Sequence, residues 1–397
     1  MILSQKNLNI SESLTLALDA KAKKMKAEGK DVIGFGAGEP DFPTPSFILE
    51  AAIHALNNGM TKYTPSSGTL ELREAICRKL KRDNNIIYTP DEVIVSNGAK
   101  HSLYNIFQAI LNPGDEVIIP QPYWLSYPEM VKMADGIPIF VESKEDNFFK
   151  VTIEDMERAI TPKTKAIIIN SPNNPNGCVY NKIELTQIAE LAVKKEIFII
   201  SDEIYEKMVY DDAEHISIAS LGEDIRKITF TVNGMSKAYA MTGWRIGYTA
   251  GPKEVIKIMN NIQSHSTSNP NSIAQYASTI ALNAPNNEIM KMINEFDKRR
   301  LYMVNKINSI PYLSCQLPKG AFYIMMNISK VVGKRWNSKL IDGSLSFADA
   351  LLESKNVTVV PGIAFGADYY VRLSYAVSIE KIQKGLERIH QFVNELV

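Results

Sequence analysis

The chain has 397 residues, 45% of them hydrophobic, enough for two domains of ordinary size and a substantial core. Lysine plus arginine and aspartate plus glutamate each total 44, so no net field draws the chain toward nucleic acid or an anionic membrane. No apolar run approaches the ~18 residues of a membrane-spanning helix, and Cys77, Cys178 and Cys315 are too scattered for a disulfide framework or a CxxC site.

The stretch from Met1 to Lys6 lacks the charged-then-apolar pattern of a secretory signal, so a cytoplasmic location is expected. Residues 11 to 28 carry Leu14, Leu18 and Met25 among lysines, with Ser11 or Ser13 to cap a helix and Gly29 to end it. Asp31 to Gly36 reads as a short strand, after which the glycines and prolines of Gly36 to Pro45 force a loop. The spacing of Gly34, Gly36 and Gly38 does not make a dinucleotide site, because the third glycine is misplaced and Pro40 blocks the helix that would receive a pyrophosphate. Thr44 as N-cap, Pro45 at the first position and Gly59 past the end bracket a helix bearing Ile48, Leu49, Ala52, Ile53 and Leu56. A turn-rich loop then carries Tyr63, and a second amphipathic helix covers about 69 to 83.

From residue 92 short apolar runs alternate with helical periods. The candidate strands are Glu92 to Val95, Glu116 to Ile119, Ile137 to Val141, Ala166 to Ile169, Ile197 to Ile200, Ile228 to Val232 and Arg245 to Ala250. This is the pattern of an α/β fold, a mainly parallel sheet between helices. In such sheets a site lies beyond the carboxyl ends of the strands. Those ends carry Ser96-Asn97-Gly98-Ala99-Lys100, Asn170-Ser171-Pro172-Asn173-Asn174 and Ser201-Asp202-Glu203-Ile204-Tyr205, with Pro122-Tyr123-Trp124 in a further loop. The free N–H groups of Gly98 to Lys100, opening a helix, suit a phosphate. After about 285 the alternation breaks into a smaller α+β unit: a helix over 287 to 308, strands near 312 to 316, 321 to 327, 357 to 360 and 370 to 375, a helix near 346 to 354 and a last helix from 378. Arg372 sits in one of these mostly apolar strands and needs a partner, either a carboxylate of the protein or that of a substrate.

The run from Ile228 to Tyr248 gathers the chemistry. Lys237 lies at a strand-to-loop junction among Gly234, Met235, Ala238 and Met241, where partial desolvation lowers its pKa and supplies a neutral amine for attack on a carbonyl. Arg245, eight residues on, offers a planar guanidinium for a phosphate. Gly-Met-Ser-Lys-Ala-Tyr-Ala-Met-Thr-Gly-Trp-Arg-Ile-Gly resembles the cofactor-lysine signature of class I pyridoxal-phosphate aminotransferases. The likeness spans nearly the whole chain and is strongest to the bacterial aspartate aminotransferase branch.

The resemblance implies a fold-type I enzyme in which a large domain holds a mainly parallel seven-stranded sheet, with a smaller α+β domain built from both chain ends. The segments implied are 1–44 joining the small domain, 45–285 binding pyridoxal phosphate, and 286–397. It implies Lys237 as the Schiff-base lysine, Asp202 beside the pyridine nitrogen, Tyr205 and Asn174 at the phenolic oxygen, and Trp124 over the ring. Gly98, Ala99, Lys100, Ser236 and Arg245 would lie around the phosphate, with Tyr63 reaching it from the other subunit of a homodimer. Arg372 would take the substrate α-carboxylate, Gly38 would pack against the substrate, and Lys100 with Thr15 would meet the distal carboxylate. The implied reaction is ping-pong transamination between L-aspartate and 2-oxoglutarate, with no metal. Aromatic amino acids or prephenate are alternative substrates, and carbon-sulfur lysis is an alternative reaction on the same fold. Ser11-Glu12-Ser13 stands where prephenate-using relatives tend to carry a lysine.

Overall fold

The computed structural model describes residues 8, 10–285 and 287–397; Met1 to Lys6 lie outside the described residues. A seven-stranded sheet runs in the spatial order Val93–Ser96, Gly247–Ala250, Thr229–Gly234, Phe198–Asp202, Thr164–Asn170, Glu116–Pro120 and Ile137–Val141. Gly247–Ala250 is antiparallel to both neighbours and every other pair is parallel, so six strands point one way.

These strands read as unbroken apolar runs because both faces are covered. Val117, Ile119, Ile168, Ile200 and Phe230 enter one core with Leu103, Phe107 and Met259, whereas Ile118, Ile167, Ile169 and Ile199 enter another with Leu185 and Ile188. Successive side chains point to opposite faces, so an isoleucine run fills two layers at once. Each such side chain, fully buried, contributes on the order of 1.5–3 kcal/mol.

The smaller unit is a four-stranded antiparallel sheet, ordered Val360–Pro361, Tyr370–Ser374, Tyr323–Asn327 and Ser314–Cys315. Helices Asn287–Asn308, Ser344–Lys355 and Ile379–Asn394 pack beside it. Ile33–Gly34 pairs in parallel with Val357–Thr358, so the two ends of the chain meet in this unit.

Two expectations need correction. The last strand of the large sheet begins at Gly247 and not at Arg245, because Arg245 follows the tight turn Thr242–Trp244 in a left-handed conformation (φ 58°, ψ 52°) that cannot continue a ladder. In the helix Ser46–Asn57 the N-cap is Pro45, and the Thr44 hydroxyl instead donates to the Ala240 carbonyl at 2.7 Å. That helix buries Ile48, Ala51, Ala52 and Ala55, while Leu49, Ile53 and Leu56 stay exposed. The alanine face allows the close approach of helix Ser272–Asn283.

Candidate active site

The register of the large sheet aligns the residues that carry the site. Asn170 pairs with Asp202, and Ser96 and Gly234 each pair with Gly247. Beyond this edge opens a cavity of about 390 Å³. Its shape depends on glycine at two close approaches. A Cβ on Gly247 would stand 2.2 Å from the Ala99 nitrogen, and one on Gly98 (φ 87°) would stand 2.2 Å from Arg245 Nη2. Helix Ala99–Ile110 therefore opens directly against Arg245, with no side chain among the described residues capping its first amides.

Lys237 reaches across the cavity, its Nζ donating to the Gly38 carbonyl at 2.5 Å. Burial brings its amine down to about 8, with Glu39 opposing and Arg245 and Arg372 adding to the fall. Asp202, 3% exposed, accepts from the Tyr127 hydroxyl at 2.6 Å and from the Ile204 amide at 3.3 Å. Burial nonetheless pushes its carboxyl up to about 6. The Tyr205 hydroxyl lies 3.0 Å from that of Tyr323. Trp124 meets Tyr127 edge to face at 5.3 Å, and Lys100 Nζ stands 4.9 Å over the Trp124 ring. Burial, with Arg245 nearby, holds the Lys100 amine below its ordinary value.

Arg372 is buried, donating from Nη1 to Asn174 Oδ1 and from Nη2 to the Gly36 carbonyl, both at 2.9 Å. Its guanidinium lies 4.3 Å from the Tyr323 ring centre, and Nε has no hydrogen-bond partner among the described residues. Thr15, Gly38, Ala99, Lys100, Trp124, Asn174, Asp202, Tyr205, Ser236, Lys237, Arg245 and Arg372 all line the one cavity. Gly98 adjoins it through Arg245. Tyr63 does not line it and is 91% exposed. Sequence reasoning missed Glu39, Tyr127, Asn170, Thr242 and Tyr323, which also line it. Tyr127 carries a usable signal, three residues after Trp124 at the start of helix Ser126–Met133, and Glu39 lies inside the Gly36 to Pro45 loop.

A family model for aminotransferase class I and II matches residues 30–389. The chain belongs to the class I and II aminotransferases. It is 50% identical over 393 residues to the aspartate aminotransferase of Geobacillus stearothermophilus, covering 99% of each chain. The crystal structure of the aspartate aminotransferase from Rhizobium meliloti matches with a TM-score of 0.96 at 43% identity, over 100% of both chains. The Thermus thermophilus aspartate aminotransferase with maleate matches at 0.93 and 44% identity, over 99% of this chain and 100% of that one.

Aminotransferases of this family are pyridoxal-phosphate enzymes, and the donor set here fits that cofactor. An uncapped helix start beside Arg245 and Ser236 suits a dianionic phosphate, and an amine near pKa 8 suits an aldehyde. Among the described residues no helix is long and apolar enough to cross a membrane.

Proposed function

We propose that this aminotransferase exchanges an amino group between L-aspartate and 2-oxoglutarate, giving oxaloacetate and L-glutamate. One observation carries the reading: a single cavity holds a lysine amine depressed to about 8, a buried carboxyl, and a buried arginine that no carboxylate among the described residues neutralises. When bound, pyridoxal phosphate supplies the electron sink that stabilises a carbanion at the substrate Cα and carries the amino group between the two half-reactions.

The chain's own residues do the rest. Lys237 attaches the cofactor and, once released, takes the Cα proton, a task suited to an amine that is partly neutral near pH 8. Asp202 would hold the cofactor's pyridine nitrogen in its charged form, and Tyr127 supports the carboxylate state of Asp202. Tyr205 and Asn174 would donate to the cofactor's phenolic oxygen, and Trp124 would pack against its ring. Gly98, Ala99, Lys100, Ser236 and Arg245 would hold its phosphate. Arg372 binds the substrate α-carboxylate beside Gly38, while Lys100 and Thr15 address the distal carboxylate.

We further infer a cytoplasmic homodimer whose segments divide at 44/45 and 285/286. Leu49, Ile53, Leu56 and Tyr63 are exposed apolar groups that a second copy would cover, and Tyr63 would then serve the neighbouring site. Mixing Tyr63→Phe with Lys237→Ala chains should restore activity beyond that of either variant alone; sedimentation as a monomer would reject the dimer.

The deciding experiment is a coupled assay of the purified protein with aspartate and 2-oxoglutarate, beside alanine, phenylalanine, prephenate and a β-thioether amino acid. Oxaloacetate formation at the highest kcat/KM supports the reading. Preferred amination of prephenate, or pyruvate and thiol release, would replace it.

A further inference from the structure

Among the groups lining the cavity the carboxylates are Asp202 and Glu39, and the roles above use only the first. Glu39 Oε2 accepts from the Thr242 hydroxyl at 2.8 Å. The Thr242 carbonyl in turn accepts from Arg245 Nη1 at 2.8 Å, and Arg245 Nη2 reaches the Asn97 carbonyl at 3.2 Å. The loop that carries Glu39 is held at its other points by Arg372 on the Gly36 carbonyl, by Lys237 on the Gly38 carbonyl, and by Arg299 Nη1 on both oxygens of Asp41, at 2.8 and 3.0 Å. Glu39 is thus the joint between the substrate side of the cavity and the turn that carries Arg245.

A neutral acceptor would satisfy the Thr242 hydroxyl equally well, so the tie alone does not account for an acid in a cavity. The charged groups acting on Lys237 are Glu39, Arg245, Arg372 and Asp202. The two arginines drive the proton off the amine, and after burial Glu39 is the largest influence, acting against them.

We propose that Glu39 is a positioning residue for the transamination with two separable parts: its bond to Thr242 ties the Gly36 to Gly38 loop to the Arg245 turn, and its place in the loop puts a negative charge in the same cavity as the Lys237 amine. This rests on the reading of Lys237 as the cofactor lysine.

Two variants separate charge from tie. Glu39→Gln keeps an acceptor for Thr242 and removes the charge, whereas Thr242→Val removes the donor and keeps the carboxylate. Borohydride reduction of the cofactor-loaded enzyme comes first, and labelling of a lysine other than Lys237 overturns the reading of the site itself. With Lys237 labelled, the readouts are the pH midpoint of the visible absorption band and the affinity for pyridoxal phosphate by equilibrium dialysis. Glu39→Gln should lower the midpoint by about half a unit or more, because losing a nearby negative charge disfavours the protonated form. Thr242→Val should hold the midpoint within about 0.2 unit while weakening cofactor affinity several-fold, and Thr242→Ser should restore that affinity. An unmoved midpoint in Glu39→Gln overturns the charge role, and wild-type affinity in Thr242→Val overturns the tie. Should Glu39→Gln fail to fold by circular dichroism, Glu39→Asp makes the complementary test: a retained midpoint with weakened affinity supports the proposal, and a lowered midpoint overturns it.

Discussion

Arg372 Nη1 donates to Asn174 Oδ1 at 2.9 Å while Nη2 donates to the Gly36 carbonyl, so a buried guanidinium is held by neutral oxygens and has no carboxylate partner among the described residues. A buried cation left this way is costly unless an anion arrives to meet it. Arg372→Lys keeps the charge but loses the planar fork, and should lower kcat/KM for aspartate by roughly 3 kcal/mol or more. An amine that lacks the α-carboxylate should react equally slowly with wild type and variant. If the variant slows that amine as much as it slows aspartate, Arg372 does not bind the carboxylate.

Lys100 sits over Trp124 with its amine held below the ordinary lysine value by burial, and on the proposed reading it meets the substrate's second carboxylate. Lys100→Ala should cost aspartate roughly 1.5–3 kcal/mol in kcat/KM while sparing alanine and phenylalanine. An equal loss on all substrates, with weaker cofactor binding, would instead assign Lys100 to the phosphate alone.

The Lys237 amine has a folded value of about 8 against an ordinary 10.5. Pyridoxal-phosphate capture by the cofactor-free enzyme should accelerate with pH and level off above about 8, whereas an ordinary lysine would keep gaining beyond pH 10. The same shift has a sign for stability. Between those two values the unfolded chain binds more protons than the folded one, so stability of the cofactor-free enzyme rises with pH across that window. Lys237→Met should flatten the rise in thermal melts.

The Tyr127 hydroxyl bond to Asp202 favours the charged carboxylate, whose pKa burial has already raised to about 6. In the cofactor-free enzyme Tyr127→Phe should therefore raise that value further, read as a shift of the buried carboxylate's infrared band with pH. An unmoved value would mean that the Tyr127 hydroxyl does not favour the charged carboxylate.

Lys79, 2% exposed, bonds both carboxylate oxygens of Glu206, which also accepts from Asn84 at 3.1 Å. Burial pushes the Glu206 carboxyl up, but nearby charges, Lys79 foremost, outweigh it and hold the group below its ordinary value. This contribution is present above the ordinary carboxylate range and is lost as pH falls through the folded value. Lys79→Met should cost about 3–5 kcal/mol in urea unfolding by leaving the acid unpaired, and Lys79→Met with Glu206→Leu should recover most of it. A single variant as stable as wild type would show that Glu206 finds another partner.

The chain's own residues determined the parts of this protein that depend on near neighbours. Lys237, Arg245 and the glycines around them lie within a few residues of one another, so strand, turn and site are written in one short stretch. The isoleucine runs likewise announced a sheet buried on both faces, because period and composition suffice for that. Periodicity could name Leu49, Ile53 and Leu56 as an apolar face but not what covers it, and the helix Ser46–Asn57 packs through its alanines instead. Arg245 was mistaken for a strand residue because an apolar pattern carries no sign of a left-handed backbone. The partnerships of Tyr127 with Asp202, Tyr205 with Tyr323 and Glu39 with Thr242 span 75, 118 and 203 residues. Asp202 and Tyr205 stand out at a strand end, but Tyr127, Tyr323, Glu39 and Thr242 are ordinary turn, core and loop residues in the one-dimensional pattern. Only the alignment of strand ends in the folded sheet, and the return of the last strands beside the first loop, decided that these groups face one cavity.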